Sequence, residues 1–131
     1  MSLDWPTFVL QRRINQPLSE VKRVLCNPAG VEAGAELSLG SQGRLVVDQR
    51  FSRAPFPSES SLVAQGTLHT NRGQRVARVE IEVGAWSNDA TVLFLRPVAR
   101  HPERWGGRRA NRYFELAHEG ADAVARLAKA S

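Results

Sequence analysis

Two side chains near the end of this chain have the chemistry to orient or act on a small molecule. Histidine changes charge close to neutral pH and can hold a ligand carbonyl or move a proton, and His118 is placed for that role. Tyr113 offers a phenol, and helical geometry sets it near His118 and Gly120. The competing reading of His118 is a boundary residue that touches solvent. A second concentration of chemistry lies just upstream. Between residues 100 and 112 stand Arg100, Arg104, Arg108, Arg109 and Arg112 against the single acid Glu103. They enter the amino end of a helix, where cations are unfavourable and an anion is welcome. Solvation or pairing with Glu80 and Glu82 is the plain alternative, and an anionic ligand or a partner's acidic patch is the functional one.

Other chemistries have little to rest on. His69, His101 and His118 are far apart, Cys26 is alone, and no pair has metal-ligand spacing, so no metal site is expected. The chain carries no nucleophile elbow, phosphate-binding glycine loop or dinucleotide fingerprint, and no cofactor is called for. Asp48 and Arg50 read as solvated, or as paired with Arg78 and Glu80 on a neighbouring strand. Trp5, Trp86 and Trp105 read as mouth, rim or core.

The elements that must position these groups follow from periodicity. From Gly107 to Ala130, Ala110, Tyr113, Phe114, Ala117, Ala121, Val124, Ala125 and Ala128 fall on one arc, with Arg112, Glu115, Glu119, Asp122 and Arg126 opposite. The pattern predicts a helix about 34 Å long with a shallow, alanine-rich face. Gly120 in its middle costs about 1 kcal/mol relative to alanine, so a close approach of a strand or a ligand is expected there. Upstream, Thr7 to Ile14 reads as a strand, and Pro17 starts a helix through Leu18, Val21, Val24 and Leu25 that Asn27-Pro28 ends. Residues 29–42 have no clear period; a helical turn near Val31 to Ala35 and an edge strand at Glu36 to Leu39 are both compatible with them.

From Gly43 an antiparallel meander is predicted. Leu45, Val47 and Phe51 alternate with polar residues, Ser52 to Ser60 connects through Pro55 and Pro57, and Leu62 to His69 returns with small residues on one face. Thr70 to Gly73 is a hairpin turn. Gln74 to Trp86 is the clearest strand, with Ala77, Val79, Ile81, Val83 and Ala85 on one face and a bend expected at Gly84. Ser87 to Asp89 turns the chain into a last strand, Ala90 to Val98, apolar on both faces. Strands with segregated helices indicate an α+β fold.

At 131 residues the chain is read as one domain, 1–131, with residues 1–6 as a disordered or tag-derived lead. Its lone cysteine forms no internal disulfide, no apolar run is long enough to span a bilayer, and Met1 to Pro6 lacks the features of a secretory signal, which together predict a cytoplasmic protein. The net charge of +5 invites a nucleic-acid reading. All 18 basic residues except Lys22 and Lys129 are arginine, a skew that codon bias produces as readily as function. Nucleic acid is therefore disfavoured as a partner.

The run Ile14-Asn15-Gln16-Pro17-Leu18-Ser19-Glu20-Val21, continued by Val24-Leu25 and Asn27-Pro28, resembles the opening of the START-like superfamily, the SRPBCC or polyketide cyclase/dehydrase and lipid-transport group. The element order resembles that family's helix-grip plan, a curved antiparallel sheet wrapped around a long carboxyl-terminal helix. No catalytic residue carries over. The resemblance implies a cavity between helix and sheet for a small hydrophobic molecule such as a lipid, polyketide or other aromatic compound. Val79, Ile81, Val83, Tyr113, Ala117 and Gly120 would wall it, and His118 and Tyr113 would orient the ligand. Binding alone and a cyclase or dehydratase in the same cavity both fit, as does a homo-oligomer. An arginine-rich module for nucleic acid or an acidic partner is the alternative of a different class.

Overall fold

The computed structural model describes residues 8–26, 32–53 and 61–129. Strand β1 (Leu10–Ile14) is followed by helix α1 (Leu18–Leu25), then by β2 (Glu36–Ser38), β3 (Gly43–Arg53), β4 (Leu62–Thr70), β5 (Arg75–Ala85) and β6 (Thr91–Pro97), a 3-10 turn (Pro102–Arg104) and helix α2 (Gly107–Lys129). All six strands form one antiparallel sheet in the order β1-β6-β5-β4-β3-β2. The fold is α+β, a curled six-stranded half-barrel packed on a long carboxyl-terminal helix. Asn27-Pro28, Val31, Pro55 to Pro57, Trp5 and residues 1–6 lie outside the described residues.

Local chemistry accounts for the boundaries. Pro17, extended at φ −65° and ψ 151°, stands one position before α1 and its carbonyl accepts from the amides of Glu20 and Val21. Expected to start the helix, it does so from the cap position. Glu32 to Ala35 makes a single turn closed by an Ala35 to Glu32 bond of 3.0 Å, and the edge strand follows as β2. Gly73 closes the β4–β5 hairpin at φ 84°, a left-handed geometry that favours glycine. The Thr70 hydroxyl accepts from the amides of Arg72 and Gln74, which fixes the same turn.

Curl is forced by what α2 touches. Six strands laid flat would span roughly 24 Å at about 4.8 Å each, about twice the width of a helix. Yet α2 contacts every strand, both edges included. A methyl placed on Gly120 would stand 3.6 Å from Leu68 of β4 and from Leu95 of β6, and 3.9 Å from Leu45 of β3. One point of the helix thus meets three strands, two of them three places apart. Register shifts in β3, between Val47 and Gln49 and between Gln49 and Ser52, and another between Leu68 and His69, add twist where the sheet closes. The bend expected at Gly84 is not marked by a break, since β5 pairs with β6 continuously through that residue.

Even-parity residues of β4 (Leu62, Ala64, Leu68) and odd-parity residues of β5 (Ala77, Val79, Ile81, Val83) are buried in one core cluster. The helix face differs from the arc read in the sequence. Leu116, fully buried, is a principal apolar contact of α2, whereas Phe114 is half-buried and stacks on Phe8 at 5.2 Å. Leucine at 116 makes this face deeper than an alanine surface.

Two substitutions test this packing by chemical denaturation. Gly120→Ala should stabilise the protein by about 1 kcal/mol, because the added methyl meets ordinary van der Waals distances while helix propensity improves; destabilisation would show that the helix sits closer than described. Gly66→Ala should cost about 1–3 kcal/mol, since its methyl would come within 2.8 Å of the Val46 carbonyl and 2.9 Å of Leu45. A neutral result there would contradict the β3–β4 geometry.

Candidate anion-binding site

The structure brings six of the seven expected ligand-contacting residues to the helix–sheet interface and leaves one outside. Val79, Ile81, Val83, Tyr113 and Ala117 are buried in the core cluster, with Gly120 buried on the same helix face. His118 is exposed, and its Nδ1 lies 3.0 Å from an Arg12 guanidinium nitrogen. Guanidinium only donates, so Nδ1 is the acceptor in this contact. The same Arg12 donates through Nε to Asp122 at 2.7 Å. Arg12 thereby ties the edge strand β1 to α2. Its signal was legible: it shares the parity of Phe8, Leu10 and Ile14, which marks it as facing the helix.

Tyr113 is committed to the fold. Fully buried, its hydroxyl donates to the Phe8 carbonyl at 2.6 Å, and burial holds its pKa above the ordinary tyrosine value. Phe8, Trp105, Tyr113 and Phe114 pack ring on ring with centroids 5.2–5.9 Å apart. Trp105 belongs to this cluster, while Trp86 is 56% exposed on the β5–β6 hairpin.

A cavity of about 500 Å³ opens at the amino end of α2, and none of the seven expected residues lines it. Its walls are Thr70, Gln74, Arg75 and Val76 from the β4–β5 hairpin, and Gly106, Arg108, Arg109 and Arg112 from the start of the helix. Four arginines line it and no acid does. Arg109 is held in place, its guanidinium 4.3 Å over the Trp105 ring and its Nε donating to the Val76 carbonyl at 3.3 Å. Arg112 has only a loose, exposed pairing with Glu115 at 3.8 Å. Among the described residues Arg75 and Arg108 have no ion-pair partner.

The carboxylates suggested as partners for this cluster are engaged elsewhere. Glu80 and Glu82 both accept from Arg96, at 2.7 and 2.8 Å. Burial works to lower the Arg96 pKa, and the hydrogen bonds and charges of Glu82 and Glu80 outweigh it, leaving it above its ordinary value. Asp48 accepts from the Thr67 hydroxyl at 2.6 Å, and Arg78 donates to Gln65, so the Asp48–Arg78 pairing read in the sequence does not form. Helix geometry adds to the positive potential at the cavity. The first turn of α2 contains no acid, and Ala110 is the residue whose amide bonds back to Gly106, at 3.0 Å. Amides before it in the helix lack carbonyls one turn back, as at any helix start. Sequence reading found Arg108, Arg109 and Arg112; it missed Arg75, which joins them only through the fold.

Among the described residues no group of three His, Cys, Asp or Glu side chains converges to hold a metal, and no helix is long and apolar enough to cross a membrane. His101 instead pairs with Glu103 at 2.9 Å. Bonding to its own backbone and to His101 lowers the Glu103 pKa.

No family model matches the chain, and no curated protein does. Solved structures similar to it include the following two. One is the solution NMR structure of a protein from Arthrobacter aurescens, at TM-score 0.49 and 9% identity over 95% of this chain and 84% of that one. The other is the crystal structure of a protein from Mycobacterium smegmatis, at TM-score 0.44 and 10% identity over 95% and 88%. Likeness at this level bears on no residue and no activity.

Tyr113 is the one tyrosine in the chain, so ultraviolet titration reads it alone. Tyrosinate absorbance should be missing through the ordinary range near pH 10 and appear only as the protein unfolds in alkali. Because the folded-state pKa is raised, the stability it contributes is complete below the unfolded value and declines as pH rises above it. Tyr113→Phe should cost about 1–2 kcal/mol by leaving the Phe8 carbonyl without its donor. Titration near pH 10 in folded protein would contradict the burial described.

Proposed function

We propose that this chain is a START-like helix-grip domain that binds an anion at the arginine-lined mouth where α2 begins. The opening motif at Ile14 to Val21 and the curled sheet around α2 support the START-like membership. The single observation that carries the functional reading is a cavity with four arginines and no carboxylate on its walls. Like charges gathered there repel one another, and an anion relieves that repulsion while accepting charge-assisted bonds from the guanidinium forks. Three leucines close around Gly120, which gives an apolar ligand between α2 and the sheet less support. This is the anionic-partner alternative of the sequence reading, narrowed to a concave site.

Calorimetric titration with small anions tests it. Affinity should fall as ionic strength rises, and Arg108→Ala should weaken binding about tenfold, as expected for losing one charge-assisted contact worth about 1.5 kcal/mol. Arg126→Ala, on a helix turn remote from the cavity, should leave affinity unchanged. Salt-independent binding, or equal losses in both variants, would sink the proposal.

A further inference from the structure

Resting on the reading just given, we infer that the anion is a phosphoryl group carried on a small organic molecule. Three features of the mouth select it. The arginines stand on different walls, Arg75 on the hairpin and Arg108 and Arg112 on the helix, with Arg109 anchored between Trp105 and the Val76 carbonyl. A carboxylate has two coplanar oxygens and is satisfied by one fork. A phosphate monoester carries close to two charges and three acceptor oxygens pointing in different directions, so it can be shared among donors on opposing walls.

The second feature is size. A cavity of about 500 Å³ lies in the range that holds a small organic ligand and exceeds what a bare oxyanion fills. Arg75 and Arg109 also border an adjoining hollow of about 140 Å³, whose other walls are Ala77, Arg78, Val98, Ala99 and Trp105. That hollow is placed to take part of the organic group attached to the phosphoryl, against Ala77, Ala99 and Trp105.

The third feature argues against a nucleic-acid strand. Single-stranded nucleic acid is held largely by bases stacked on aromatic faces. None of the residues lining the mouth is aromatic, and Arg109 covers one face of the neighbouring Trp105. Beyond the mouth, the arginine of the β6 strand is already neutralised by two glutamates, Glu80 and Glu82.

The test is calorimetric titration of the intact protein, at one fixed ionic strength, with phenyl phosphate, inorganic phosphate, malonate and a twelve-nucleotide oligothymidine in turn. Phenyl phosphate should bind tightest, about tenfold above inorganic phosphate from burial of part of its ring, and inorganic phosphate should bind more tightly than malonate, a dianion of planar carboxylates. Arg75→Ala should weaken phenyl phosphate about tenfold, and Arg108→Lys, which keeps the charge and loses the fork, should also weaken it. Malonate binding as tightly as phosphate would overturn the phosphoryl assignment and leave the anion site standing. Oligothymidine binding tightest of the four would overturn it in favour of a strand. Should none of the four bind, the anion site itself falls, and the phosphoryl assignment with it.

Discussion

Everything in this molecule depends on one buried contact, the seating of α2 in the hollow of the curled sheet. Leu45, Leu68 and Leu95 converge on the small residue at 120 from three strands, and Leu116 fills the space toward β3 and β4. Each such side chain, fully buried, contributes roughly 1.5–3 kcal/mol. Without the helix the concave face of the sheet would be an open apolar surface. The sheet cannot flatten without losing one of the leucines, and the helix cannot slide without losing its polar ties. Tyr113 to the Phe8 carbonyl and Arg12 to Asp122 hold its two halves to the first strand and the residues just before it.

This seating also makes the mouth. Fixing α2 along its length fixes where its first turn emerges, beside the β4–β5 hairpin, and so places Arg108, Arg109 and Arg112 opposite Arg75. Repulsion among these groups is tolerated because the side chains are exposed, where water screens them. Burial energy from the core therefore sustains a charge arrangement that no local interaction would favour. The aromatic cluster under Trp105 is the mechanical link between the two, since the ring that packs on Phe8 and Tyr113 also carries Arg109.

Much of the architecture was legible because burial writes itself into periodicity. The alternation of Ala77, Val79, Ile81 and Val83 located β5 and its core face, and the helical arc located α2 within a residue. Strand ends moved by one to three positions, and the first strand begins at Leu10, two residues after Phe8, whose carbonyl accepts from Tyr113. The edge strand β2 was weakly written: three residues with one half-buried leucine give too short a pattern to read. Leu116 was passed over since it neighbours Ala117 on the edge of the arc, and alternation in a helix is broader than one stripe. Site chemistry was harder. Arginines along one helix turn show in the sequence, but Arg75 stands more than thirty residues earlier and only strand pairing delivers it. The roles of Tyr113 and His118 depended on which carbonyl or guanidinium lay within 3 Å, and no spacing encodes that.

The central claim is that ligand is met at the charged mouth and not within the helix–sheet interior. Backbone amide chemical-shift mapping by ¹⁵N NMR during titration with phenyl phosphate tests it most directly. The account predicts saturable shifts confined to Gln74, Arg75, Val76, Gly106, Arg108 and Arg109, with Val79, Ile81, Ala117 and Gly120 unmoved. Shifts centred on those interior residues, with the arginine-bearing turn silent, would contradict it.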